Sequence, residues 1–157
     1  MTRTASPSRL ELEHVYRAAP DKVFEAWADP DALMRWGAPG NGWRTRLLAF
    51  RFEVGGEQLT EFGPADGPVF LNRMRYYDII PAIRIVTAGG MTRGAETLFV
   101  GVLTVEFAAE DEGCRLRLTE QGMFLDGHDL PENHRVGWQD MLRRLDLELL
   151  PTTGNDT

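Results

Sequence analysis

The chain has 157 residues, one cysteine and a formal net charge of −7 that comes from scattered acidic residues. A chain of this length forms one domain that buries about 68–70% of its unfolded surface, so stability requires neither disulfides nor metal ions. Phosphate backbones and anionic lipids attract basic surfaces. The acidic composition, without a basic stripe, therefore argues against nucleic acid and membrane surfaces as partners.

The single cysteine, Cys114, lies in an alternating segment and has no intrachain disulfide partner. One thiol, a polar segment at 1–9 and no apolar run of 18 residues indicate a cytoplasmic protein without membrane insertion. Spacing alone identifies no His and Asn or Asp partners for a catalytic thiol, so a buried or edge cysteine is the favoured interpretation.

The first predicted elements are a strand and two short helices. Residues 10–16 alternate with a period of two, which is typical of a half-buried strand. Pro20 and the pair Asp29-Pro30 each favour a helix start, because proline fits the first helical turn and aspartate caps it. Residues 1–7 and 151–157 are polar and are expected to be flexible termini around a single domain at 8–150.

The middle of the chain predicts a series of antiparallel hairpins that ends in a helix. Strand-like alternation covers 48–54, 57–62, 69–80, 83–88, 97–108 and 114–124, with turn residues between the segments. From Trp138 onward, apolar residues at 138, 141, 142, 145 and 149 form a helical stripe, which Pro151 is expected to end. This order predicts an α+β fold with the helix on one face of the sheet.

A set of short motifs is spread over about residues 8–150. They comprise Ala19, Pro20, Val23, Phe24, Ala26, Trp27, Asp29, Pro30, Leu33 and Trp36; Gly55 and Gly56; Pro81 and Ile83; Thr119, Glu120 and Gly122; and Gly137 and Trp138. In this order they resemble the START/birch-pollen-allergen superfamily, and within it stand-alone domains similar to the carboxy-terminal domain of the activator of heat-shock protein 90 ATPase. The resemblance implies the helix-grip fold, in which a curved antiparallel sheet of about seven strands surrounds a long C-terminal helix over an internal pocket.

The resemblance implies no single activity, because the superfamily includes lipid carriers, hormone receptors, polyketide cyclases and co-chaperone domains. The co-chaperone joins this domain to an amino-terminal one through a linker, and we expect neither here, which weakens a chaperone role. The related domains often carry an aromatic residue two positions after the glycine pair, where this chain has Gln58. If Phe62 faces the pocket, Gln58 makes the pocket floor more polar. A solvent-facing Gln58 is the alternative.

Strand parity selects the candidate ligand-binding residues on the sheet, because alternate side chains share a face. One face of the long strand carries Phe70, Asn72, Met74 and Tyr76. Its other face carries arginines, which usually point to solvent. On the last strand, Leu118 must face the core and Glu120 shares its face. An inward Glu120 would have a raised pKa or a partner and could act as an acid, a base or a polar anchor, whereas at the sheet rim it would reach water.

The closing helix and one connection complete the candidate site. The inner face of the helix carries Trp138, Met141, Leu142 and Leu145. Trp43 lies in a glycine-rich connection near the expected pocket mouth, where it either gates the cavity or packs on the surface. Residues 126–129 match no standard metal-ligand spacing, so we predict no metal site. His134 is interpreted as a solvated histidine in the first helical turn, and His14 as a core or rim histidine.

The predicted function is the binding of a small, largely apolar molecule between the helix and the sheet, with Gln58, Asn72 and Glu120 orienting it. One alternative is a cyclase- or hydrolase-type enzyme that uses Glu120 as its general base. A second alternative is a co-chaperone-like interaction module, which predicts an exposed apolar patch and no enclosed cavity. We expect no cofactor and either a monomer or a homodimer.

Overall fold

A computed structural model describes residues 3–39 and 42–150 of the chain. The elements in chain order are β1 (Ala5–Tyr16), α1 (Pro20–Ala28), α2 (Pro30–Trp36), β2 (Trp43–Phe50), β3 (Glu57–Pro64), β4 (Phe70–Ile80), β5 (Arg84–Arg93), β6 (Glu96–Glu110), β7 (Gly113–Leu125) and α3 (Pro131–Glu148). The strands form one antiparallel sheet in the order β1-β7-β6-β5-β4-β3-β2. The predicted α+β helix-grip architecture is confirmed.

Several boundaries differ from those that the sequence pattern predicts. β1 begins at Ala5, so residues 5–7 pair with β7 and are not part of a flexible terminus. The other predicted flexible segment, 151–157, lies outside the described residues, as do residues 1–2. β2 begins at Trp43 and ends at Phe50, because the backbone of 51–56 turns sharply toward β3. α3 begins seven residues before Trp138, with Pro131 in its first turn.

The two short helices begin as their proline and aspartate residues predict. Pro20 and Pro30 lie in the first turns of α1 and α2, and the Asp29 side chain accepts a hydrogen bond from the Asp31 backbone N–H at 3.0 Å. The indole of Trp36 donates to the Ala26 carbonyl at 2.8 Å, which ties the end of α2 to α1. The helices thus form one unit that packs against the sheet.

The C-terminal half of α3 anchors this helix to the β1 and β7 side of the sheet. Leu142 and Leu145 are buried there with Leu116 of β7. The buried Tyr16 hydroxyl donates a hydrogen bond to the Leu142 carbonyl at 2.9 Å. None of the described helices is long and apolar enough to cross a membrane.

A row of glycines crosses the concave face of the sheet. Gly89, Gly101 and Gly122 are direct partners on β5, β6 and β7. The Phe99 ring lies directly against Gly101 and Gly122, because a Cβ added at either glycine would lie 2.6 Å from Phe99 Cζ. Glycines in a strand permit tight bends and close approach, so this row favours the curvature that the cavity requires.

Replacement of Gly122 by alanine is expected to destabilise the fold. A Cβ there would lie 2.2 Å from the Val100 carbonyl oxygen, which is backbone and moves only if the strands move. We expect Gly122→Ala to lower the free energy of unfolding by about 1–3 kcal/mol, measured by urea denaturation.

Gly137→Ala is the matched control for the glycine replacement. Gly137 lies within α3, and apart from its chain neighbours and the helix backbone no atom lies within 4 Å of the Cβ that alanine would add. Because alanine is the better helix former, the free energy of unfolding of this variant should rise by about 0.5–1 kcal/mol. Equal stability of Gly122→Ala and the wild type would contradict the role assigned to the glycine row.

Candidate functional site

A cavity of about 850 Å³ lies between the concave face of the sheet and the three helices. Aromatic side chains form much of its lining. They are Trp27, Trp36, Trp43, Phe52, Phe62, Phe70, Tyr76, Phe99 and Trp138. A concave, mostly apolar lining that includes a few polar groups is the usual composition of a small-molecule site.

Three aromatic rings stack at one edge of the cavity. The Phe62 and Phe70 rings, from paired residues of β3 and β4, have centroids 5.4 Å apart. The Trp43 ring lies nearly parallel to Phe70 at 5.8 Å, and Trp43 is 38% exposed. The Arg93 guanidinium lies 5.7 Å from the Phe70 centroid. Trp43 therefore sits where the cavity meets solvent, although it is the first residue of a strand and not part of a connection.

The β3 and β4 strands form a partly polar floor. Gln58 and Tyr76 both line the cavity, and the Tyr76 hydroxyl donates to Gln58 Oε1 at 2.8 Å. Burial raises the pKa of Tyr76, so its hydroxyl stays protonated as a donor. Asn72 and Met74 line the cavity from the same face of β4. Of the two alternatives for Gln58, the structure shows the pocket-facing one.

A buried polar cluster joins β7 to the N-terminal half of α3. We call Glu120, His134 and Asp129 the carboxylate–histidine cluster. His134 Nδ1 lies 2.6 Å from Glu120 Oε1, and His134 Nε2 lies 2.8 Å from Asp129 Oδ2. The Trp138 indole donates to Glu120 Oε2 at 3.1 Å. Glu120 faces inward and has partners, so the sheet-rim alternative for this residue is wrong.

The two carboxylates set the charge of His134. Burial by itself disfavours the charged ring, but hydrogen bonds to Asp129 and Glu120 outweigh it and raise the pKa of His134 to about 9. Burial also acts to raise the pKa of Asp129, yet its hydrogen bonds, first of all with His134, hold that pKa below its usual range. At neutral pH, His134 is therefore an imidazolium that donates from both ring nitrogens.

The family model described as "Activator of Hsp90 ATPase homolog 1-like protein" matches residues 17–149, which is most of the chain. The chain belongs to this family. The resemblance that the sequence motifs indicate is thereby confirmed, and the curved sheet with its terminal helix is the AHSA1-like form of the helix-grip fold.

Solved structures similar to this AHSA1-like protein span nearly its whole length. Mll3558 from Rhizobium loti is 34% identical, with a TM-score of 0.84 over 93% of this chain and 99% of the other. A protein from Rhizobium leguminosarum is 31% identical, with a TM-score of 0.86 over 95% and 98%. CV1439 from Chromobacterium violaceum is 28% identical, with a TM-score of 0.81 over 91% and 97%. Among curated proteins, none matches this sequence.

The structure brings most of the predicted site residues of this AHSA1-like domain to one cavity. Those that line it are Trp43, Gln58, Phe62, Phe70, Asn72, Met74, Tyr76, Glu120, Trp138 and Met141. Leu118, Leu142 and Leu145 do not line it, because they are buried in the core between the helix and the sheet. The predicted helical stripe thus serves two purposes: Trp138 and Met141 face the cavity, while the two leucines anchor α3.

Sequence reasoning misses several polar side chains of the cavity. The His134 side chain is only 12% exposed and contacts two carboxylates, so its interpretation as a solvated histidine is wrong, and its partner Asp129 is absent from the predicted site. The four-residue spacing between His134 and Trp138, which puts both on one helix face, is the available signal. The hydroxyls of Thr45 and Thr60 are buried without a hydrogen-bond partner in the described part of the chain. Thr60 alternates with the predicted site residues of β3, which is the available signal for it, whereas the pattern does not identify Thr45.

The remaining chemically notable residues have structural partners. Asp126 pairs with Arg3, His128 with Glu96, and Asp129 with His134. These three side chains of the segment 126–129 therefore contact three different partners. Over residues 3–39 and 42–150, no group of three or more potential ligands is arranged to hold a metal ion. Cys114 is fully buried, as expected, and burial raises the pKa of its thiol. A thiolate nucleophile is therefore disfavoured.

The raised pKa of His134 predicts a loss of stability at alkaline pH. Its pKa is about 9 in the folded protein and near the ordinary histidine value of 6.5 in the unfolded chain. The stabilisation is therefore fully present below pH 6.5 and is lost as the pH rises through 9. The free energy of unfolding of the wild type, measured by urea denaturation at each pH, should fall by on the order of 2–3 kcal/mol relative to that of His134→Gln between pH 6.5 and 9.5. A difference that stays constant with pH would contradict this charge assignment.

Proposed function

We propose that this domain binds a small, largely apolar molecule in the cavity between α3 and the sheet. The observation that carries the proposal is the cavity of about 850 Å³ with its predominantly apolar lining, rich in aromatic side chains. Apolar area removed from water contributes about 25 cal/mol per Å², so a ligand that buries roughly 300 Å² gains about 7 kcal/mol before the costs of association.

The polar side chains of the lining support an orienting role. Gln58 and Asn72 lie on the floor, and Glu120 lies toward α3. A few polar groups in an apolar cavity restrict the poses of a ligand, because each pose that leaves them unpaired costs free energy. Trp43, 38% exposed beside the stacked Phe62 and Phe70 rings, is in a position to control access.

The cavity also supports this proposal over the two alternatives. An interaction module predicts an exposed apolar patch without an enclosed cavity, and the lining found here favours a small molecule. An enzyme that uses Glu120 as a general base requires a reacting proton held within hydrogen-bond reach of the carboxylate. Glu120 accepts hydrogen bonds from His134 and Trp138 that hold it in place as an acceptor facing the cavity, which favours a binding role for this carboxylate.

A substitution that fills the cavity should block binding. Met141 lines the cavity from α3, and Met141→Trp adds volume there. N-phenyl-1-naphthylamine, a neutral probe whose emission rises in apolar surroundings, should bind the wild type saturably at one site. We expect Met141→Trp to weaken this binding about tenfold or more, with an unchanged circular dichroism spectrum.

The matched control is Leu147→Trp on the same helix. Leu147 is 69% exposed and lies outside the cavity lining, so the same bulky side chain there should leave probe affinity unchanged. Equal affinities of the wild type and Met141→Trp would contradict the assignment of the binding site to this cavity.

A further inference from the structure

The carboxylate–histidine cluster carries one excess negative charge. It contains two carboxylates, Glu120 and Asp129, and one imidazolium, His134, whose two ring nitrogens are both occupied by these carboxylates. The three side chains are only 12–13% exposed, so water screens the charge weakly. A buried excess charge is unfavourable unless a group of opposite sign approaches it.

No lysine or arginine forms an ion pair with this cluster within residues 3–39 and 42–150. The two arginines that line the cavity are engaged elsewhere. Arg93 lies over the Phe70 ring and 3.9 Å from Glu96, and Arg144 donates to the Trp36 carbonyl at 3.0 Å. The negative charge is therefore presented to the cavity without a protein cation to neutralise it.

Glu120 retains the capacity to accept a further hydrogen bond. Its Oε2 atom accepts from the Trp138 indole at 3.1 Å, and a carboxylate oxygen has two lone pairs. Aromatic rings surround the cluster, since Trp138 stacks on Trp27 at 6.1 Å and Phe99 lies 4.7 Å from the His134 ring. A carboxylate in a cavity with aromatic walls is a favourable environment for an ammonium group.

A second feature of the lining points independently to a ligand with polar atoms. Thr60 on β3 is 9% exposed and lines the cavity, and its hydroxyl has no hydrogen-bond partner in the described part of the chain. The Trp27 indole N–H on the cavity wall is likewise buried and unpartnered. Buried polar groups without partners are rare and costly in folded proteins, and a bound molecule with polar atoms would supply the partners.

We propose that the ligand carries a protonated amine on an aromatic or alicyclic body, with the ammonium group donating to Glu120 Oε2. This inference rests on the proposed function, because it assigns the chemistry of one end of the same ligand. The apolar body lies against the aromatic lining, and the ammonium charge offsets the excess negative charge of the carboxylate–histidine cluster.

Three probes with one apolar body and different end groups test the charge preference. Calorimetric titration of the wild type at pH 7 with 1-pyrenemethylamine, 1-pyrenemethanol and 1-pyrenecarboxylate should give affinities that decrease in this order. We expect the amine to bind at least about tenfold tighter than the alcohol, which is the usual effect of a charge-assisted hydrogen bond. This wild-type ratio decides the proposal even where a variant fails to fold.

Variants then assign the preference to Glu120. Glu120→Gln keeps the size of the side chain and removes its charge, so it should lower amine affinity about tenfold and change alcohol affinity less than about threefold. Asp146→Asn is the matched control, because Asp146, on α3, is also a carboxylate bonded to a histidine, His14 of β1, at 2.7 Å, but lies outside the cavity lining. It should leave all three affinities unchanged.

The outcomes separate this inference from the function on which it rests. Similar affinities for the three probes, or tightest binding of the carboxylate, would overturn the amine preference and leave apolar ligand binding in place. Failure of all three to bind would overturn both proposals. An amine preference that persists in Glu120→Gln would overturn the role given to this carboxylate.

Discussion

The width of the sheet relative to α3 is the constraint on which the structure depends. Six strand spacings make the sheet about 29 Å wide, whereas one helix covers about 10 Å of it. α3 is fixed on the β1 and β7 side by Leu142, Leu145 and the hydrogen bond from Tyr16. The remaining concave surface must curve toward the helices, and α1 and α2 only partly cover it. The cavity is the consequence of this difference between the width of the sheet and the width that the helices cover.

The N-terminal half of α3 is held by polar contacts where the C-terminal half is held by leucines. His134 lies between Glu120 of β7 and Asp129 of the preceding loop, and Trp138 bonds to the same Glu120. These contacts fix the helix at the cavity and present the carboxylate to the cavity interior. In our proposal, one group of side chains therefore both positions α3 and sets the charge that a ligand meets.

The sequence predicts best what depends on local periodicity. Alternation along β4 correctly assigns Asn72 and Tyr76 to the cavity face, because a strand repeats every two residues. The helical stripe is less informative: it identifies the apolar face of α3, but whether Leu142 meets the core or the cavity depends on where the helix sits across the sheet. The pairing of His134 with Glu120 joins a helix to the preceding strand, so the periodicity within either element misses it. The family resemblance supplies the fold but not the ligand.

Native mass spectrometry of the protein purified from its source organism tests the central claim most directly, with denaturing extraction and identification of any released molecule. The account predicts a stoichiometric mass increment that disappears on denaturation and belongs to a small, largely apolar compound. A clean mass for the polypeptide alone, unchanged after incubation with apolar amines, alcohols and lipids, would contradict the claim that the cavity is a binding site.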